Sequence, residues 1–409
     1  MGRSRRVHGH RPLADGRRPR RGRRLAGRHS HALPTRGRRV SSGNAIDLPN
    51  ALADWVTSET GEPLLAAAPH RAGASRSAWR IETGSENAPR SLFLLQDRNR
   101  GGGSARDAAV LRALGPTEVP VPEVVAIDAD HGALLLTRLA GESSFPDVED
   151  PAHREPIARH LMSLTTRLHA LDPKSLSIPH LALPATAEDC ARDTLAQTRG
   201  ALAGLGENAD PFFAFALDWL ENHVPDRVER FSLVHSDMGP GNFLHEQDRI
   251  TGIVDWEVAH FGDPMEDLAA IAIRDMATPV GDLAQRFAEY EAAGGQRIDL
   301  RRIHFYRALV LVRNSVMIGL GLAHPTPTMD VREMTLYQTL LMRAATLVLC
   351  DNLGIERPAS PDETDPGVPE QSLEGRATEH ALRLLRLARD RRSLMGALYS
   401  RLPQPLEPS

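Results

Sequence analysis

The apolar periodicity of this 409-residue chain changes once, near Phe145, and that change restricts the fold more than any other feature. Before it, segments such as "LLAAAPHRAGASRSAWRIETG" and "RSLFLLQDR" read as period-two strands joined by turn residues. The helices expected there are a short amphipathic one in "NAIDLPNALADWVTS" and a prominent one in "SARDAAVLRALG". For the latter, Ser104 is the expected N-cap and Gly115 the stop. After it, "AHREPIARHLMSLTTRLHALD", "PFFAFALDWLENHV" and "LRRIHFYRALVLVRNSVMIGLGLA" carry the 3.6-residue spacing of helices. Two short strands, "FSLVH" and "RITGIVDWE", interrupt the helical region. The chain is also too long for one ordinary core. The expected fold is therefore α+β, with a small mostly-β lobe over 45–145 and a larger helical lobe over 146–354.

Both ends differ from this body. Residues 1–40 hold fourteen Arg and one acid, Asp15, for a net +13, with no apolar periodicity. They lack aromatic residues for base stacking and the apolar core of a secretory signal, so nucleic-acid binding is not expected. Residues 1–44 are read as a disordered tail or a start-site artefact of GC-rich coding sequence. Residues 355–372 are read as a Pro-rich acidic linker, and 373–409 as a basic amphipathic helical extension, for which packing on the body or on a partner is expected in preference to a membrane surface; a homodimer is compatible with the sequence. The whole chain carries −4 and residues 355–409 carry −1, so residues 41–354 hold −16. Such a body is compatible with a cationic ligand, although a solvated acidic surface is the commoner meaning. No run of eighteen apolar residues occurs, so no membrane span is expected. Cys190 and Cys350 lie far apart with no metal spacing, which fits buried thiols and a cytoplasmic protein.

The chemistry concentrates in "HSDMGPGNFLHEQDRITGIVDWE", residues 235–257. Transfer of a phosphoryl group to a hydroxyl needs an acceptor for the hydroxyl proton and a divalent metal between protein oxygens and phosphates. Mg²⁺ takes one or two hard oxygen ligands from a protein. The order H-x-D-x-x-x-x-N, with Asp255 thirteen residues beyond Asn242, supplies such a set. A strand-turn-strand across Glu246 to Arg249 is expected to bring Asp255 back beside Asn242.

With "IVDWEVAHFGDPMEDLA", "PTEVPVPEVV" and "TTRLHALDP" added, the chain resembles the aminoglycoside phosphotransferase-like (choline kinase-like) family of small-molecule kinases. The resemblance spans roughly residues 60–350. The "DWE…AH.GDP.EDLA" form looks most like the kinase-like domains fused to acyl-CoA dehydrogenases. It implies a protein-kinase-like two-lobe fold and an ATP- or GTP-dependent phosphotransferase acting on a small hydroxyl-bearing substrate. It further implies Asp237 as catalytic base, His235 bracing that loop, Asn242 and Asp255 as Mg²⁺ ligands, and Asp263 and Asp267 anchoring the next helix.

The nucleotide side departs from that pattern. Protein-kinase-like sites hold the phosphates with a strand Lys paired to a helix acid. Here "SLFLLQDR" offers Leu95 or Gln96, and the only lysine, Lys174, lies in the helical lobe. Asp107 is the expected helix acid, and Arg80 or Arg98 the expected replacement cation. The loop "RAGASRSAW" keeps one glycine, Gly73, with Ser75 and Ser77 as further donors to a nucleotide. "GGGS" at 101–104 lacks the Gly-Lys-Ser/Thr of a phosphate-binding P-loop. Two other readings stay open at this point. One is a non-catalytic nucleotide-binding scaffold of the same fold, favoured by the missing Lys. The other is a metal-dependent phosphohydrolase using His235, Asp237, Asp255 and His260.

Overall fold

The period-two segments form three antiparallel strands, β1 (Leu64–His70), β2 (Arg76–Ser85) and β3 (Ala88–Asp97). The computed structural model describes residues 46–70, 76–98, 103–145, 150–325 and 331–355. The expectations for the basic tail, Gly73, Ser75, the linker beyond residue 355 and the C-terminal extension lie outside these. Strand alternation assigns the faces. Ile81 pairs with Leu92, and these two pack with Leu94 against Leu52 and Val56 of α1 (Asn50–Thr60). Arg76 and Ala78 lie on the opposite face, level with Asp97 and Leu95 of β3. Helix α1 starts later than the sequence pattern suggests: Pro49 precedes its first turn, and Ile46 bridges to Ala67 of β1 instead.

Helix α2 (Gly103–Leu114) lies against the sheet through its contacts with β3 and with β4 (Val124–Asp128) and β5 (Ala133–Thr137). The sheet order is β1-β2-β3-β5-β4. Val110, Leu111 and Leu114 of α2 share a core with Leu134 and Leu136 of β5. Ser104 is not the N-cap, because it already sits inside the first turn. Asp97 at the end of β3 caps the helix from outside, accepting Ser104 N–H at 3.0 Å and Ser104 Oγ–H at 2.9 Å.

The second core is helical. Helices α3 (Pro151–Ala170) and α5 (Pro211–Glu221) are N-capped by Asp150 and Asp210, each followed by Pro at the first helical position. Between them lies α4 (Asp189–Gly204), and after them α6 (Met265–Asp275), α7 (Leu283–Ala292), α8 (Leu300–Ala323) and α9 (Val331–Asn352). Helix α8 is long and apolar enough to cross a membrane by length and composition alone. Its Leu309, Leu311, Val312 and Val316 are instead buried in this core, and it packs on α4, α5, α6 and α9. Both cysteines are buried thiols outside any disulfide, and burial pushes the Cys190 thiol up to about 12.

Two small strand pairs interrupt the helices. β6 (Ser232–Val234) pairs with β9 (His260–Gly262), and β7 (Phe243–Glu246) pairs with β8 (Arg249–Ile253). The three-residue β9 is too short to carry a readable period. It nevertheless fixes the start of α6 beside the loop that follows β6.

Candidate active site

Strand β6 ends at Val234, and the loop that follows turns sharply: Ser236 adopts φ +67°, and Gly239 and Gly241 adopt φ +138° and +98°. A side chain at 239 would be strained by that φ and would force Arg274 to move, since a Cβ there would lie 2.8 Å from Cδ of Arg274. The turn is held from below by Asp267 on α6. Its Oδ2 accepts His235 N–H at 3.0 Å, and its Oδ1 accepts Ser236 N–H at 2.7 Å. His169 of α3 donates to the same carboxylate at 2.9 Å. Burial pushes the Asp267 carboxyl up, but the His169 hydrogen bond and charge outweigh it and hold the group below the usual carboxylate range. Asp267 thus does more than anchor its helix. That task falls to Asp263, which accepts Met265 N–H at 2.9 Å and pairs with Arg302.

His235 is buried, and both ring nitrogens are engaged. Nε2 donates to the Val254 carbonyl at 2.9 Å, and Nδ1 accepts Asp237 N–H at 3.3 Å. Trp256 packs on the ring with centroids 4.6 Å apart. His235 therefore positions the loop against the end of β8 and does not itself face a reacting group.

Asp237 emerges half-buried, its side chain 35% exposed. Arg274 donates to it through Nε at 3.0 Å and through Nη2, while Arg274 Nη1 reaches the Pro240 carbonyl. Asn242 Nδ2 donates to both the Asp237 carbonyl (2.9 Å) and its Oδ2 (2.7 Å). Those two acceptors fix the amide orientation, so Asn242 Oδ1 points away from Asp237. The backbone of Val254 donates to the Asn242 carbonyl at 3.0 Å, which brings Asp255 beside it as the sequence spacing predicts. Asp255 holds φ +70° and leaves its carboxylate 43% exposed. Asn242 Oδ1 and the Asp255 carboxylate are hard oxygen donors, carried on the loop and at the end of the hairpin, of the kind that suits Mg²⁺. Non-glycine residues at positive φ cluster at sites whose geometry the surroundings enforce, and Ser236 and Asp255 fit that description.

Among the residues expected at the nucleotide, the structure separates Asp107 from the rest. Asp107 is buried on α2, 2.6 Å from Nη1 of Arg76. Arg76 also contacts Asp97 and Glu257 at 3.2 Å each and Asp255 at 3.7 Å. Arg80, expected as the replacement cation, does not fill that place. It is exposed four residues further along β2, about 13 Å away at strand rise. Arg98, the other expected cation, does not fill it either. Ser77, expected as a donor to the nucleotide, projects from the face opposite Arg76 and accepts a hydrogen bond from Arg98 at 3.3 Å. Sequence reasoning missed Arg76 and Arg274. Arg274 had a readable signal, because it follows Asp267 by seven residues and so shares its helix face. Arg76 had none, since two arginines on one strand differ only in register.

The phosphohydrolase reading fails on side-chain direction. His235 is spent on backbone. His260 turns its Nδ1 to the Val258 carbonyl (3.1 Å) and its Nε2 toward buried Glu266 (3.3 Å). Among the described residues no group of three or more His, Cys, Asp or Glu side chains is placed to hold a metal.

Known proteins similar to this chain point to a family and a fold. A family profile described as "Phosphotransferase enzyme family" matches residues 66–306. Acyl-CoA dehydrogenase family member 10 of Mus musculus is 25% identical over 180 residues, covering 40% of this chain and 16% of that protein. Hygromycin-B 4-O-kinase of Escherichia coli is 26% identical over 204 residues, covering 44% of this chain and 55% of the enzyme. The chain thus matches only part of the length of these relatives. Among solved structures, a thermostable mutant of aminoglycoside phosphotransferase APH(4)-Ia in ternary complex with ADP and hygromycin B superposes with TM-score 0.52 at 20% identity. That match covers 72% of this chain and 98% of the other. Macrolide 2'-phosphotransferase MphH of Brachybacterium faecium gives TM-score 0.50 at 18% identity, over 72% and 98% of the two chains. These likenesses establish the two-lobe kinase-like fold that the motifs imply.

Proposed function

Because the chain belongs to the phosphotransferase enzyme family, we propose that it transfers the terminal phosphoryl group of ATP or GTP to a hydroxyl of a small organic molecule. The observation that carries this reading is the convergence of Asp237, Asn242 and Asp255 on one loop and hairpin, with Asp237 accessible and braced. Asn242 and Asp255 would hold Mg²⁺, which when bound neutralises charge on the phosphate oxygens.

Asp237 has room for one more hydrogen bond. A carboxylate offers about four lone-pair sites. Arg274 Nε takes one on Oδ1, while Arg274 Nη2 and Asn242 Nδ2 take those on Oδ2. The remaining site on Oδ1 is where an acceptor hydroxyl would place its proton. One relative, hygromycin-B 4-O-kinase, is by its name a kinase with an oxygen acceptor. Arg274 at the base, and Arg313 donating to Ser236 Oγ at 3.1 Å, put positive charge beside the acceptor position despite the acidic body.

The test is a coupled nucleotide-consumption screen with Mg²⁺, ATP or GTP, and a panel of aminoglycosides, choline and hydroxyacyl thioesters. Acceptor-dependent consumption with a phosphorylated product is expected. Nucleotide binding without turnover on any acceptor would move the protein to the scaffold reading. Asp255→Asn should fold normally, because Asn tolerates positive φ as Asp does. It should weaken Mg²⁺-dependent nucleotide binding roughly tenfold or more, since Mg²⁺ affinity follows ligand charge. Nucleotide titrations with and without Mg²⁺ read this out, and an unchanged Mg²⁺ dependence would remove Asp255 from the metal site.

A further inference from the structure

The strand that should carry a phosphate-holding cation carries none. On β3, Leu95 is the residue that faces the α2 side, opposite Ala78 of β2, while Gln96 faces away. Yet the acid that such a cation pairs with is present. Asp107 is buried on α2, where an unpaired carboxylate would be strongly unfavourable. Arg76 meets it from the neighbouring strand.

We propose that Arg76 is the phosphate-holding cation of this protein, carried on β2 instead of β3, and that its Nη2 binds a non-bridging α- or β-phosphate oxygen of the nucleotide. The inference rests on the kinase reading of the same site. Three observations support it. Arg76 Nη1 lies 2.6 Å from the helix acid Asp107, the pairing that defines such a cation. The same nitrogen lies 3.7 Å from the metal-site residue Asp255, so an anion held by Arg76 would sit next to the metal. Most tellingly, the guanidinium is only partly used.

Nε and Nη1 are occupied by Asp97, Glu257, Asp107 and Asp255. Nη2 is buried with no hydrogen-bond partner. A purely structural tie between β2 and α2 would leave those two donors unsatisfied, a standing cost. A phosphate oxygen would satisfy them, in the fork geometry that suits guanidinium to phosphate. Backbone reaches this nitrogen closely because residue 103 is glycine; a Cβ there would lie 3.2 Å from Nη2. Four carboxylates around one cation also leave the pocket acidic until metal enters. Nucleotide should therefore bind with Mg²⁺ in preference to binding alone.

The experiment titrates mant-ATP and mant-GTP into the full chain with Mg²⁺ present. Arg76→Met should raise Kd about ten- to a hundredfold, the range for losing a charged hydrogen bond. Because that variant leaves Asp107 buried and unpaired, Arg76→Met/Asp107→Leu removes the pair together and should fold, while binding as weakly. Arg76→Met/Leu95→Lys returns a cation to the same sheet face from β3, keeps Asp107, and should recover most of the affinity. Wild-type affinity in a folded Arg76→Met/Asp107→Leu protein overturns the assignment. So does a failure of Leu95→Lys to restore binding in a folded protein, which would mark Arg76 as a structural tie. If the wild type binds neither nucleotide, the kinase reading itself fails and takes this assignment with it.

Discussion

Asp237→Asn is expected to keep Mg²⁺-nucleotide binding and lose phosphoryl transfer by about a hundredfold or more, the usual contribution of a positioned base. The loop should survive the change. Asp237 is 35% exposed, and the turn that carries it is fixed by Asp267 and His235. An amide cannot accept from all three donors now on the carboxylate, so one bond to Arg274 or Asn242 is lost, for about 1–2 kcal/mol. The proposed metal ligands, Asn242 Oδ1 and Asp255, do not depend on that charge. Binding and transfer should therefore separate, read by nucleotide titration against single-turnover transfer. Equal turnover in variant and wild type would remove Asp237 from the chemistry. Binding without turnover in both, across a broad acceptor panel, would favour the scaffold.

The second large effect is on stability. Asp267→Ala should cost about 3–5 kcal/mol of unfolding free energy, the range for breaking a buried charged network by removing one partner. The carboxylate is fully buried and accepts from His235 N–H, Ser236 N–H and His169. Its loss leaves two backbone donors and His169 Nε2 without partners in the core, while His169 Nδ1 keeps the Tyr290 hydroxyl at 2.9 Å. Asp267→Asn should not rescue, because donors approach both oxygens and an NH2 group would face one of them. The pH dependence follows from the depressed carboxyl. A folded-state pKa below the unfolded value of about 3.9 contributes stability present above that value and lost as pH falls through the folded one. Urea midpoints from pH 7 down into the acid limb should show this loss in the wild type and not in Asp267→Asn. A variant with wild-type midpoint and wild-type acid limb would show that the loop is held by something else.

These two carboxylates also mark how far the sequence could be read. The loop from His235 to Asn242 and the hairpin returning Asp255 are local: hydrogen bonds span five residues from Asn242 to Asp237, and twelve from Val254 to Asn242. Spacing alone therefore constrains them. The switch from period two to period 3.6 likewise gave the sheet-then-helix order, since each period belongs to one backbone geometry. Asp97 capping α2 in place of Ser104 was not legible, because a cap supplied by another strand leaves no local pattern.

What tertiary structure alone decided is which residues meet across elements. Arg76 and Arg80 share a strand, a residue type and a face. Only the pairing of β2 with β3 and the seating of α2 put Arg76 at Asp107, and leave Arg80 in solvent. Arg274 reaches Asp237 across 37 residues, and Asp267 reaches His169 across 98. By itself, then, the sequence determined the α+β order of the chain and the loop and hairpin that carry Asp237, Asn242 and Asp255, because both are written in short-range spacing. Which arginine meets Asp107, and which residues support the loop from below, were decided by long-range packing, where sheet register and helix docking choose among chemically equivalent side chains.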